Sequence, residues 1–360
     1  MSKYIGQPHI IKKINKKVIL EIVKEHGPIS KPDISKMTKL SLPTVNKIIK
    51  DLAEKKILLE LGKRETQGGG RKPSMYEINP SYDPIISLFF SDGNIRAVLA
   101  NGVGKKIVDK NFNLPEASVE DIYKIIEDLL VLDRNNIKAI GIGIPGVVNN
   151  EGLVTKIPLF PSLEGVNLKE LLKNRFEKKV FIENEVNVTG YGIYKENYNI
   201  DYNNFLYVYF GEKGVSSAII LNGNLYKGVN SFSGEIGFML TRENIEQNLS
   251  NKKFGILENE FGNILKKTKL GSNKENIKRL TDIITFTLTN LITFFDPDVI
   301  VIENDYVDLS IVKENIKKYL ELKKYPLIVS QNNKNAGIDG VIKLCLAEMY
   351  SSYSLIKGNK

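Results

Sequence analysis

Between Ser41 and Leu52 the chain holds Thr44, Asn46, Lys47 and Lys50, residue types that bond to DNA, at positions a helix would present to one side. Asn can bond adenine through two hydrogen bonds at once, Thr can reach a base edge, and Lys meets phosphate. Val45, Ile48, Ile49 and Leu52 lie between them at i, i+3, i+4 and i+7, the spacing of a buried helix face, so the polar set is left outside. Ser41 suits the cap of this helix and Pro43 its first turn. Further on, Arg64 and the run Gly68-Gly69-Gly70-Arg71-Lys72-Pro73 offer cations on flexible backbone. Such an arm suits the narrow, negative minor groove of A·T-rich DNA. Ser41, Pro43, Thr44, Asn46, Lys47, Lys50, Arg64, Arg71 and Lys72 therefore form the candidate DNA-contacting set.

The elements around these residues complete a reading head. Residues 13–26 show an apolar stripe through Ile19, Ile22 and Val23, ended by Gly27-Pro28. Ser30-Lys31-Pro32-Asp33 is a capping-box pattern, and Ile34 and Met37 are expected to face inward from the short helix that follows. Two short strands, 57–61 and 75–78, bracket the glycine run. The order is helix, turn, helix, wing, and the exposed start of the second motif helix is the part that enters a major groove. Charge agrees: residues 1–80 hold 17 Lys and Arg against 8 Asp and Glu, while the other 280 residues hold 34 of each. Net charge speaks to partners, and a basic head on a neutral body fits a polyanion partner. A solvated loop is the competing reading of GGGRKP, and a basic bundle for protein contacts that of the whole head.

The body alternates strands (85–90, 95–100, 137–144, 180–183, 205–210, 217–221, 299–303) with helical patterns near 118–132, 277–295 and 340–350, which predicts an α/β fold. The turn GIGIPGVV at 141–148 and the run ENEVN at 183–187 follow β-rich segments, where open α/β sheets place ligands. No run approaches the ~18 apolar residues of a membrane span. The N-terminus lacks the pattern of a secretory leader. The single cysteine, Cys345, excludes an internal disulfide and any multi-cysteine metal site, and His9 and His26 read as structural. A cytoplasmic, reducing setting is expected.

Several segments together resemble the ROK family, which groups bacterial sugar-responsive repressors with sugar kinases. They are the helix-turn-helix with GGGRKP, IKAIGIGIPGVVNNEGLV, FIENEVN, LNGNLYKG, GEIG and FFDPDVIVI. The resemblance implies a winged helix-turn-helix (residues 1–80) before a two-lobed, actin-like (ribonuclease-H-like) body. The first lobe is placed at 81–190 and the second at 191–360, with the C-terminal helix packing back on the first. Asn184, Glu235 and Glu258 would contact sugar hydroxyls, with Glu185 where the kinases carry a catalytic Asp and Phe238 where the family carries a histidine. N-terminal capping competes with ligand contact for Glu185.

Three phosphate-cradling turns depart from the kinase pattern. They read Phe89-Phe90-Ser91-Asp92-Gly93, Glu212-Lys213-Gly214-Val215-Ser216 and Glu303-Asn304. The family's zinc site is also missing, since Phe238 replaces its histidine and no cysteine lies between Met239 and Glu258. The expectation is a catalytically inactive repressor without metal or cofactor. Its expected partners are a palindromic A·T-rich operator, a small carbohydrate such as xylose and further copies of the chain in a homodimer or higher homo-oligomer, with no membrane partner. The rivals are an ATP-dependent sugar kinase with an accessory DNA-binding head, and a constitutive repressor whose body only dimerises.

Overall fold

The computed structural model describes residues 8–63, 73–79, 81–91, 93–133, 136–157, 159–212, 214–240, 255–270, 274–331 and 333–351. The head comprises α1 (Pro8–His26), β1 (Ile29–Ser30), α2 (Lys31–Thr38), α3 (Leu42–Glu54), β2 (Leu58–Lys63) and β3 (Ser74–Ile78). Its antiparallel sheet runs β1-β3-β2. Both motif helices start as their sequences dictate. Ser30 Oγ accepts from the Asp33 N–H and donates to the Asp33 carboxylate at 2.6 Å. Ser41 Oγ accepts from the Thr44 N–H. Ile19, Val23, Ile34, Val45, Ile49, Leu52, Tyr76 and Ile78 make one core. Met37, expected inside, is 44% exposed. In so short a helix, one turn carries the chain from the buried Ile34 to the rim.

The body holds two sheets of the same design. The first is built from β4 (Ile85–Ser91), β5 (Asn94–Ala100), β6 (Lys106–Asn113), β7 (Ala139–Ile144) and β10 (Lys179–Asn184) in the order β10-β7-β4-β5-β6. Around it lie α4 (Val119–Asp133), the small hairpin β8 (Val147–Val148) and β9 (Val154–Lys156), and α5 (Leu168–Phe176). After α6 (Glu185–Asn197) comes the second sheet, with β11 (Phe205–Gly211), β12 (Gly214–Leu221), β13 (Asn224–Leu225), β14 (Val299–Glu303) and β15 (Leu327–Ser330) in the order β13-β12-β11-β14-β15. The helices α7 (Ile256–Leu270), α8 (Lys274–Phe295), α9 (Leu309–Tyr319) and α10 (Ala336–Ser351) complete the described chain. In each sheet the first three strands pair antiparallel and the last two add in parallel. Parallel strands are covered on both faces, so β7 reads Ala139-Ile140-Gly141-Ile142-Gly143-Ile144 without alternation and is buried throughout.

Two helices join the lobes. On α10, Ile338, Ile342, Cys345, Leu346 and Met349 pack against Ile85, Val98, Ala100 and Ala139 of the first sheet. On α6, Val186, Ile193 and Tyr194 pack against Phe205, Tyr207 and Ala218 of the second. The helices cross at Gly192 and Gly340, where a Cβ on Gly192 would stand 3.0 Å from Gly340 Cα. Lys343 Nζ donates to the Gly192 carbonyl at 3.1 Å across the same crossing. A lobe division at 190/191 falls inside α6, because that helix starts from a first-lobe strand and buries its apolar face on the second sheet. The head touches the body through Val103, in the β5–β6 turn, and Tyr82, both packed against the head core.

Candidate DNA interface and ligand cleft

On α3 the buried and presented faces separate as the spacing requires. Val45, Ile48, Ile49 and Leu52 are buried, and Ser41, Pro43, Asn46, Lys47 and Lys50 are exposed. Thr44 is half-buried, and its hydroxyl lies 2.8 Å from Ser41 Oγ. Ser41 and Thr44 are thus partly committed to the helix start, while Asn46 and Lys47 face outward. Among the described residues, Lys50 makes only a surface pair with Glu54 at 3.9 Å. Asp51, the other acid of the same helix, is held by Lys55 at 2.7 Å and Lys16 at 3.8 Å. The Lys55 hydrogen bond keeps its carboxyl below the usual range, and its negative charge is thereby neutralised beside the presented face. Arg64, Arg71 and Lys72 lie outside the described residues.

In the body, the residues expected at the sugar gather in two groups that meet at the β8–β9 hairpin. The first centres on Asn184, the N-cap of α6. Its amide oxygen accepts from the Val186 and Asn187 N–H groups at 2.8 and 3.2 Å, and its Nδ2 donates to the Gly146 carbonyl at 3.0 Å. One amide hydrogen remains for a ligand. Beside it Glu183, only 6% exposed, accepts from the Asn184 N–H and from Asn187 Nδ2, both at 2.9 Å. Lys227, on the loop after β13, completes this group with a 3.1 Å ion pair to Glu183 that crosses between the lobes.

The second group holds Glu235, Phe238 and Glu258. Glu235 and Phe238 flank one short turn, and Glu258 begins α7 with its carboxylate accepting from the Gly255 N–H at 3.1 Å. A Cβ on Gly237 would meet Glu258 Cβ at 3.0 Å, which brings the two carboxylates near each other. Burial, then Glu258, pushes Glu235 up to about 7, against a smaller pull from Lys156. Burial also raises Glu258. Phe238 packs against Phe232 with ring centres 5.1 Å apart and planes tilted by 57°, and carries the Lys156 ammonium 4.2 Å above its ring. Ser231 Oγ lies 3.4 Å from Asn150 Oδ1, a further contact between the second-lobe loop and the hairpin.

Glu185, the first residue of α6, stands within electrostatic reach of Tyr207 on β11. Tyr207 donates to Glu303 at 2.6 Å. Burial, Glu303 and Tyr209, with Glu185 adding less, push the Tyr207 phenol well above its ordinary value. Sequence reasoning missed Lys156, Lys227, Glu183 and Phe232. Lys227 stands in LNGNLYKG and Glu183 in FIENEVN, so both were within reach of motif reading. Lys156, a single lysine at the end of VTK, gave no signal.

The positions of the three phosphate turns are occupied by the chain itself. The Phe89 ring covers Gly337 and stands 3.0 Å from where a Cβ on Gly143 would be. The Tyr209 side chain covers Gly211. A Cβ on Gly214 would lie 2.7 Å from Glu258 Oε1. Asn304 is bonded within its own turn, to the Val307 carbonyl and the Tyr306 N–H. These residues also do not fit the family's zinc. Phe238 has no ligating atom, and Cys345 is buried in the contact of α10 with the first sheet.

A winged helix-turn-helix DNA-binding model matches residues 13–58, and the ROK family model matches residues 93–348, most of the chain. The chain belongs to the ROK family. This ROK protein is 28% identical over 358 residues to the xylose repressor of Staphylococcus xylosus, covering 91% of this chain and 92% of that one. It is 26% identical over 376 residues to the xylose repressor of Bacillus spizizenii, covering 95% and 97%. Among solved structures, a ROK family transcriptional regulator, a homologue of the E. coli MLC protein, superposes with a TM-score of 0.74 at 18% identity, over 96% of this chain and 99% of the other. A ROK family glucokinase from Streptomyces griseus superposes on 73% of this chain and 99% of its own at 0.53, with 16% identity. The ROK fold is thus shared with repressors and kinases alike, and the winged head lies outside the region of the kinase-like body.

Proposed function

We propose that this ROK protein is a sugar-responsive transcriptional repressor with no kinase activity. The observation that carries the reading is a combination. A DNA-presenting head is joined to a cleft whose phosphate turns are filled by Phe89, Tyr209 and Glu258, while the polar groups on the sugar side remain accessible. A kinase needs bare backbone N–H groups to meet phosphate, and Glu185 in place of Asp shifts the would-be base by about a C–C bond length, 1.5 Å. The named xylose repressors among its relatives make D-xylose the first sugar to test.

The head binds an A·T-rich palindrome as a dimer. Thr44, Asn46, Lys47 and Lys50 meet the major groove, and Arg64, Arg71 and Lys72 meet the flanks. The body takes a small carbohydrate between the β8–β9 hairpin and the 226–238 loop, in the cytoplasm, without cofactor. A ligand that prefers one arrangement of the lobes shifts the separation of the two heads, and by linkage DNA and ligand then oppose one another. Operator binding measured by fluorescence anisotropy, with and without D-xylose, tests this. Affinity lowered by a sugar, with no sugar-dependent ATP turnover, is the expected result. Turnover that disappears in Glu185→Gln would replace the reading by the kinase. One observation favours the constitutive repressor as second reading: Asn184 spends its amide oxygen and one amide hydrogen inside the protein.

A further inference from the structure

Lys156 is a charged side chain of the cleft to which the proposed function has given no task. It ends β9 on the first lobe, and its ammonium rests 4.2 Å from the centre of the Phe238 ring on the second. Cation–π attraction holds it there. It is half-buried, and among the described residues it has no ion pair within 4.0 Å and no hydrogen bond. Burial lowers its pKa below the usual lysine value, and Glu258, Glu235 and Glu164, in that order, partly oppose that shift. An ammonium and two carboxylates therefore converge without touching. That gap suits a bridging hydroxyl, which donates one hydrogen to a carboxylate and accepts from the ammonium.

Charge decides what else the gap can hold. The carboxylates here are Glu183, Glu235 and Glu258, and the ammonium groups are Lys227 and Lys156. Lys227 is engaged by Glu183 at 3.1 Å. One remaining ammonium thus faces the Glu258 carboxylate and Glu235, whose carboxyl burial raises to about 7, and no positive charge is left over for a phosphate or a sugar carboxylate. Burying such an anion beside like charges is costly.

We propose that Lys156 contacts the ligand directly. In this arrangement it donates to one hydroxyl while a neighbouring hydroxyl donates to Glu235 or Glu258, and the ligand is an uncharged polyol rather than a sugar phosphate or sugar acid. This deepens the sensing reading above and rests on it. The Phe238–Phe232 pair gives the apolar wall for a sugar's C–H face, and Lys156 gives the polar contact that an imidazole at 238 would otherwise supply.

Calorimetry on the full chain tests both parts. The probes are D-xylose, D-glucose, glucose 6-phosphate, N-acetylglucosamine and its 6-phosphate. The expected result is that a neutral sugar binds at least tenfold more tightly than its phosphate. Lys156→Met should weaken that sugar at least tenfold, and Lys156→Arg should retain part of the affinity. A structural role alone would not produce the second readout, reductive methylation of the unaltered protein followed by mass spectrometry. The bound sugar should protect Lys156 and leave exposed lysines such as Lys47 unchanged. That measurement also stands if Lys156→Met fails to fold. Tighter binding of a phosphate, wild-type affinity in Lys156→Met, or no protection of Lys156 while a sugar binds overturns this proposal and leaves the sensor standing. Operator binding with no affinity for any probe overturns the sensor and this proposal together.

Discussion

Removing Lys47 and Lys50 should change the salt dependence of operator binding more distinctively than it changes affinity at any one salt concentration. Lys47 is exposed on α3, and Lys50 pairs with Glu54 only at 3.9 Å, with the two side chains 76% and 65% exposed. A pair so open to water is worth about 0–1 kcal/mol at most and does not hold the lysine back from phosphate. Each phosphate neutralised on duplex DNA contributes about −0.9 to the slope of log K against log salt. With two heads on a palindrome, Lys47→Ala should flatten the slope by about 1.8, and the double variant Lys47→Ala/Lys50→Ala by about 3.6, if each lysine meets one phosphate. Raising salt fourfold would then cost the wild type roughly 3.5-fold more in affinity for every contact that the variant lacks. The assay is fluorescence anisotropy on operator and scrambled duplexes from 50 to 200 mM salt, a range chosen to span about a fourfold change. The loss should be the same on both duplexes. An unchanged slope, or a loss confined to the operator, would refute the assignment of this helix face to the DNA backbone.

Asn46→Ala should instead relax sequence preference, costing about 1–3 kcal/mol on the operator and little on scrambled DNA; equal losses on both would show that Asn46 does not read a base. Ile49→Ala, at a fully buried position of the head core, should destabilise the head by about 2–5 kcal/mol in denaturant melts. Stability should fall as pH rises from 4.5 to about 7, because burial raises Glu235 from 4.5 to about 7 and the folded state therefore holds its proton more tightly. The contribution is complete below the unfolded value, gone above the folded one and worth roughly 3 kcal/mol at most, so Glu235→Gln should flatten the profile in that window, leaving the smaller part due to Glu258. Elemental analysis of protein purified without a metal-binding tag should find well under one zinc per chain, and a chelator should not shift its Tm; stoichiometric zinc would show that residues 238–258 are wrongly matched to the family's metal run.

Much of the fold was legible because burial imposes period and punctuation. The stripe of Val45, Ile48, Ile49 and Leu52, the Ser41 cap and the apolar run of β7 each leave one local solution. What was missed lacks that imprint. β6, Lys106–Asn113, pairs along one edge only and is largely exposed, so Lys-Ile-Val-Asp-Lys-Asn-Phe-Asn reads as a loop. The start of α1 at Pro8 rather than 13 is similar, since lysines dilute its stripe. At the cleft, resemblance supplied Asn184, Glu235 and Glu258, but their surroundings are tertiary. Lys156 meets Phe238 only because the hairpin of one lobe reaches the loop of the other. No spacing in the chain encodes that meeting.

The altered kinase turns carry more information once the partner of each is known. Phe89 is packed against Gly337 at the start of α10 and beside Gly143 on β7, so the ring fills the site that an Asp-bearing turn would leave open. Glu303 is bonded by Tyr207 across two parallel strands, and Glu258, a residue of the proposed sugar site, leans over Gly214. Each change exchanges an open backbone surface for an internal contact. Restoring a single turn would therefore leave the other two filled and remove a packing contact as well. Phe89→Asp alone should lower stability, because it opens the space over two glycines and places a carboxylate against Gly143 and Gly337, at the apolar contact of α10 with the first sheet. It should not restore ATP binding. Tight ATP binding by that single variant, measured by calorimetry, would show that Glu258, Glu303 and Tyr209 do not block the cleft.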